Sequence, residues 1–184
     1  AANVFHTNPK LVLIPNDSCL GPYREQFKNT LSLFEEDPDE NHDNVKSLGY
    51  SENIVGKDKM REKIESDNDY KVDERNFLRV RFIDMIIGDW DRHERQYRWA
   101  ALDTGKGKIY KPVPEDRDQA YFKFDGFIPY IASRKWAIRS LQNFDYEFND
   151  IIGLNTVAKN IDRRYLSSLN RNDWKEIADS VKNE

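Results

Sequence analysis

The chain has 184 residues, with 29 basic and 33 acidic side chains, a net charge of −4 and one cysteine. A single cysteine excludes a disulfide scaffold and any multi-cysteine zinc or iron–sulfur site, and an isoelectric point near 5.5 argues against a dedicated nucleic-acid binder. Charged residues reach 34%, yet 4 Trp, 9 Tyr and 10 Phe supply enough large side chains for a packed core, which excludes disorder for most of the chain.

Lys10 to Pro15 (KLVLIP) is a short apolar run closed by Pro15-Asn16-Asp17, which predicts a strand and a turn. Gly21-Pro22 breaks the chain again, and Thr30 to Phe34 (TLSLF) predicts a second strand. It runs into Glu35–Asp43, a stretch with six carboxylates and no Lys or Arg. The expectation there is a solvated, mobile loop, because Pro38 and the lack of a turn Gly do not match an EF-hand.

Asp58 to Ser66 predicts a short charged helix. A longer helix is expected from Asp73, a good N-cap with Glu74 in the first turn, to the stop at Gly88. Leu78, Phe82, Met85 and Ile86 repeat at helical spacing, with Phe77 and Val80 widening the stripe. Arg75, Arg79 and Arg81 are assigned to the other side, and the apolar run at 85–87 predicts a deeply buried helix end.

Gly88-Asp89-Trp90-Asp91-Arg92-His93 is neither helix-periodic nor alternating. Residues 96–102 (QYRWAAL) and 108–113 (KIYKPV), joined by Asp103-Thr104-Gly105-Lys106-Gly107, predict a β-hairpin. From about Pro129 helices are expected at 131–142, 144–152, 155–169 and 171–182, the last capped by Asn170 or Asn172 and carrying Trp174, Ile177, Ala178 and Val181 on one face. No apolar run approaches the roughly 18 residues of a membrane span. No signal peptide is recognisable, and the start at Ala1-Ala2-Asn3 without Met suggests a processed or trimmed end.

Chemistry is expected where the hairpin folds back. The segment after it, Asp116-Arg117-Asp118, should lie beside the segment before it, residues 89–96. Aspartates at i and i+2 of an extended stretch point to one side, and such a cluster needs a cation or arginines to neutralise it. Mg²⁺ suits it, because this hard ion takes carboxylates together with phosphate oxygens. Asp89 is read as structural. Trp90, Tyr97 and Trp99 are read as packing against helices rather than stacking on a ligand, and Arg134, Lys135 and Arg139 as a solvated basic patch. His6 and His42 lie too far from His93 in the chain to suggest a three-histidine zinc site.

GDWDRHERQ resembles the catalytic loop of atypical kinases with a G-x-x-DRH loop, such as the phosphatidylinositol 3- and 4-kinases, the HipA-like kinases and the secretory-pathway casein kinases. The resemblance implies that Asp91 is the catalytic Asp, with Arg92 and His93 supporting the loop, and that a metal-ligand position falls at Gln96. PVPEDRDQAYF then stands where these families place a metal-binding Asp. It implies Asp116, or Asp116 with Asp118 when aligned on the D-x-D-x-x-F pattern of the spore-coat kinases. A bacterial envelope family is more similar still, since IPNDSCLGPYREQF, LFEEDP, GDWDRHERQYRW and PVPEDRDQAYF line up with its block in order, over most of 10–145.

What the resemblance implies is an α+β, mostly helical fold: a protein-kinase-like large lobe with a β-hairpin (46–184) and remnants of the small lobe and hinge (1–45), forming one structural unit. The expected reaction is Mg-dependent phosphoryl transfer from ATP to a hydroxyl. No G-x-G-x-x-G occurs, and Lys10 does not sit on the expected lysine strand, so an upstream small lobe of the same chain is expected to supply the nucleotide cover. The chain alone is then expected to be inactive, soluble and not inserted in a membrane, with a periplasmic or envelope setting implied by the resemblance. The alternative is a non-catalytic kinase-like interaction module of an envelope protein. A D-x-D glycosyltransferase would need βαβ units before the motif, and the helix at 73–87 has none.

Overall fold

The computed structural model describes residues 3–39 and 41–183. Helices account for 38% and strands for 15%, an α+β class. Two sheets form. A small antiparallel ribbon pairs β1 (Lys10–Leu13) with β2 (Leu31–Phe34), matching Lys10 to Phe34 and Leu13 to Leu31. Ser18–Tyr23, a 3₁₀ turn, and the short α1 (Arg24–Phe27) connect the two strands.

The main sheet has the order β3-β5-β6-β4. Its centre is the expected hairpin, β5 (Tyr97–Asp103) with β6 (Lys108–Pro114), and Tyr97 sits opposite Pro114. Two strands invisible to periodicity complete it: β3 (Asn53–Val55), antiparallel to β5, and β4 (Lys71–Val72), parallel to β6. Alternation along β5 separates two cores. Tyr97, Trp99 and Ala101 face the helices, while Ala100 faces Ile54, Leu48, Val113 and the partly buried Phe5 and Val45.

The helical side comprises α2 (Lys57–Ser66), α3 (Glu74–Ile86), α6 (Lys159–Tyr165) and α7 (Arg171–Lys182). Phe77 on α3 is the hub of an aromatic cluster. Its ring centroid lies 5.5 Å from Tyr97, 5.9 Å from Trp99 and 5.5 Å from Tyr165. Such pairs add to the stabilisation from burial itself. As expected, Asp73 caps α3 by accepting from the Asn76 N–H at 2.9 Å. Gly88, at φ +70°, stops it: the Gly88 N–H reaches the Met85 carbonyl at 3.1 Å and the Asp89 N–H reaches that of Asp84 at 2.9 Å. Asn170 caps α7, which buries Ile177 against α3.

Four expectations need correction. Arg81 is buried, not solvent-facing, because Asp84 and Asp162 neutralise it inside. The end of α3 is not sealed: Ile86 is 56% exposed. The stretch 115–150 is mostly irregular, holding only the short α4 (Phe127–Ala132), with α5 (Ile151–Leu154) after it, where helices were expected at 131–142 and 144–152, and the helix expected at 155–169 is confined to α6. The acidic loop is tethered: Asp37 pairs with Arg98, Glu36 bonds His42 at 2.8 Å, and Asp39 C=O accepts from Ile54 N–H at 2.7 Å. Glu40 of that loop lies outside the described residues.

Candidate functional site

The Schellman end of α3 reverses the chain into the 89–93 loop, and the hairpin carries it out and back to residue 115. The Glu115 N–H donates to the Gln96 carbonyl at 3.0 Å, one residue beyond the last β5–β6 pair. Of the expected juxtaposition, Arg92 and Gln96 meet Glu115 and Asp116. Arg92 clasps it. One guanidinium nitrogen donates to the carbonyls of Glu115 (2.7 Å) and Asp116 (3.1 Å), and the other to that of Gln96 (3.1 Å). The same guanidinium lies 4.7 Å from the centre of the Tyr97 ring.

Beneath the clasp is a buried polar knot centred on Asp84 of α3. Its carboxylate accepts from Arg81 (3.1 Å), Arg117 (3.0 Å) and the Tyr97 hydroxyl (3.0 Å), and lies 3.4 Å from Arg92 Nε. Arg81 also reaches Asp162 at 2.7 Å and Asn155 at 2.7 Å. Burial pushes the Tyr97 hydroxyl up, and the adjoining Asp84 carboxylate adds to the effect. Asp89 is buried 3.5 Å from Arg92, with neither carboxylate oxygen hydrogen-bonded. Its pKa is pushed up to about 6 by burial, against the pull of Arg92.

The arginines expected to neutralise Asp116 and Asp118 serve the knot instead. Arg117 turns inward to Asp84, so Asp116 and Asp118 on either side of it are both exposed. Lys111, on the neighbouring strand β6, pairs with Asp73 at 3.5 Å. Asp116 takes a left-handed conformation (φ +50°), unusual for a residue other than Gly, Asn or Asp. Its carboxylate accepts from Gln96 Nε2 at 3.3 Å.

Gln96 is buried, and both ends of its amide are used, since Oε1 accepts from the His93 N–H at 3.2 Å. The carboxylates of Asp91, which is half-buried, and of Asp118 make no side-chain ion pair or hydrogen bond among the described residues. His93 secures the loop through its main chain, accepting from the Gln96 N–H at 3.1 Å, while its ring Nδ1 is buried without a hydrogen-bond partner.

Trp90 Nε1, Arg92 Nε, Arg117 Nε and both Asp89 oxygens share that condition with His93 Nδ1. Unspent hydrogen-bonding capacity is uncommon in folded interiors, and here it concentrates in one pair of loops. Outside them, Glu115 stands at the rim against Arg98 at 3.6 Å. Burial, reinforced by Asp37, pushes its pKa up to about 7.

Sequence reasoning missed Asp84, Arg81 and Arg117 as the polar interior. The signal was present: Phe77, Arg81 and Asp84 follow at i, i+4 and i+7, so the two charges share the face of a buried aromatic. Among the described residues no group of three or more His, Cys, Asp or Glu is placed to hold a metal ion, and no helix is long and apolar enough to cross a membrane. Comparison with protein-family models, curated proteins and solved structures finds no match to the chain.

Proposed function

We propose that this chain is the catalytic-loop-bearing part of an atypical kinase-like phosphotransferase, acting with an additional small lobe supplied upstream in the same chain. The observation that carries the reading is the Arg92 clasp. It joins the two acidic turns while the guanidinium charges are spent on Asp84, Asp89 and Asp162, leaving Asp91 and Asp118 without a cation and Asp116 bound only by an amide. Carboxylates that no protein cation occupies remain open to a ligand cation.

In this reading Asp91 orients the acceptor hydroxyl and takes its proton. Asp116 and Asp118 fit a hard divalent ion such as Mg²⁺, which binds one or two carboxylates and takes its other ligands from substrate phosphates and water. Bound with ATP, that ion would neutralise charge on the phosphates. Gln96 contributes by fixing Asp116 and the His93 main chain rather than by offering a free oxygen. The exposed apolar ribbon of Leu11, Leu13, Leu31, Leu33 and Phe34 provides a surface on which a small lobe would pack.

The alternative, a non-catalytic kinase-like interaction module of an envelope protein, is favoured by the want of a ready three-ligand metal group among the described residues. One experiment separates the two. Magnesium with ATP raises the melting temperature of the wild-type chain and not that of Asp116→Ala if the phosphotransferase reading holds. No shift in either chain favours the module.

A further inference from the structure

The irregular stretch after the clasp carries a second surface unrelated to the acidic turns. It is pinned at its base. Phe124 exchanges two hydrogen bonds with the Asn143 side chain (2.7 and 3.0 Å), and Arg139 forms a double bond pair with Asp150 (2.7 and 3.0 Å). Within that stretch α4 leaves its large apolar side chains exposed. Phe127, Ile128 and Ile131 occupy one face of it, at i, i+1 and i+4. Phe127 is 77% and Ile128 80% exposed, far more than large apolar side chains on a packed element. The Ile138 N–H returns to the Ala132 carbonyl at 2.8 Å, folding 132–138 into a tight turn that holds Trp136, 77% exposed, close to the end of α4.

Charge completes the pattern. Residues 127–139 contain Arg134, Lys135 and Arg139 and no carboxylate, within a chain of net charge −4. Arg139 pairs with Asp150, whose carboxylate Lys135 also influences, while neither Arg134 nor Lys135 makes a close ion pair among the described residues. Arg134 instead lies 3.9 Å above the exposed Tyr130 ring. Trp, Tyr and Phe beside unpaired cations is the composition that partitions into the headgroup zone of a bilayer. A lipid surface takes exposed apolar side chains without shaped packing, whereas a protein partner packs its interface core to the density of an interior.

We propose that the 127–138 tip is a peripheral membrane contact that lays Phe127, Ile128, Ile131 and Trp136 into the interface of an anionic lipid surface, with Arg134 and Lys135 on the headgroups. It is a surface contact and not a span. Basic residues near such a surface add to affinity in steps that salt removes.

The test is co-sedimentation of the chain with phosphatidylcholine vesicles, with and without phosphatidylglycerol. The chain binds the phosphatidylglycerol vesicles, releases them at high salt, and stays free of the neutral ones. Arg134→Glu with Lys135→Glu, and separately Ile128→Ser with Trp136→Ser, each lower binding by at least about tenfold while the melting temperature stays at the wild-type value. Failure of the wild type to sediment with anionic vesicles overturns the proposal. So does equal binding to both vesicle types, or retention of binding by either double variant. A dimer in sedimentation velocity that the Ile128/Trp136 pair abolishes, without lipid binding, overturns it in favour of self-association.

Discussion

The two sheets of this protein are built from similar residues and end in opposite environments. In the main sheet β5 buries Tyr97, Trp99 and Ala101 under α3 and α6, and its other face is closed by Leu48, Val113 and Phe5. In the ribbon, Leu11, Val12, Leu13, Leu31, Leu33 and Phe34 all face solvent. Strand character alone does not bury a side chain; a covering layer does. The difference shows which half of the molecule holds itself together, and which half offers apolar surface that another body could cover.

The largest effects should fall on the covered sheet. Asp84→Ala takes a carboxylate from the buried Arg81 and Arg92 and is expected to destabilise by about 3–5 kcal/mol, read by urea denaturation, the usual range for breaking a buried ion pair. Phe77→Ala should cost a similar ~3–5 kcal/mol through the cavity it leaves among Tyr97, Trp99 and Tyr165. An unfolding midpoint unchanged by either substitution would show that the two halves do not differ as described.

A smaller effect sharpens the comparison through pH. Asp89 and Glu115 have folded-state pKa values of about 6 and about 7, raised above their ordinary values of 3.8 and 4.5. Between each pair of values the folded protein holds a proton that the unfolded chain has released, so stability falls as pH rises from about 4 to about 7. Asp89→Asn removes the Asp89 share and should stabilise the protein at neutral pH by about 1–2 kcal/mol. A melting-temperature profile in which the variant keeps the wild-type slope between pH 4 and pH 6 refutes it.

The smallest effect belongs to the ribbon. Leu11→Ser or Leu33→Ser should change stability by no more than about 0.5 kcal/mol, because no covering layer is lost. A loss several times larger would mean that these side chains are covered in solution.

Elements with one strong period were legible in the sequence: α3 with its Asp73 cap and Gly88 stop, α7 with its Asn170 cap, and the hairpin with its Gly-rich turn. The meeting of Gln96 with Glu115 and Asp116 followed from the hairpin alone. Strands β3 and β4 were not legible, since three and two residues are too few to display a period. The knot escaped because charged positions on a helix default to the solvent face, and Arg81 and Asp84 become compatible with the interior only through each other and through residues distant in sequence. The helices expected at 131–142 and 144–152 give way to irregular chain, with only Phe127–Ala132 and Ile151–Leu154 helical there.

The placement of α7 has a consequence for how the molecule is made. Ile177 and Val181 pack into the core with Phe77 and Leu78, and Arg75 at the start of α3 grips Asp173 and Glu176, about a hundred positions further on. On the ribosome α3 and the hairpin emerge well before the helix that seals them. With so much of its closure deferred to distant contacts, the chain should fold slowly for its size, and nascent chains arrested before α7 should be far more open to protease than the finished protein.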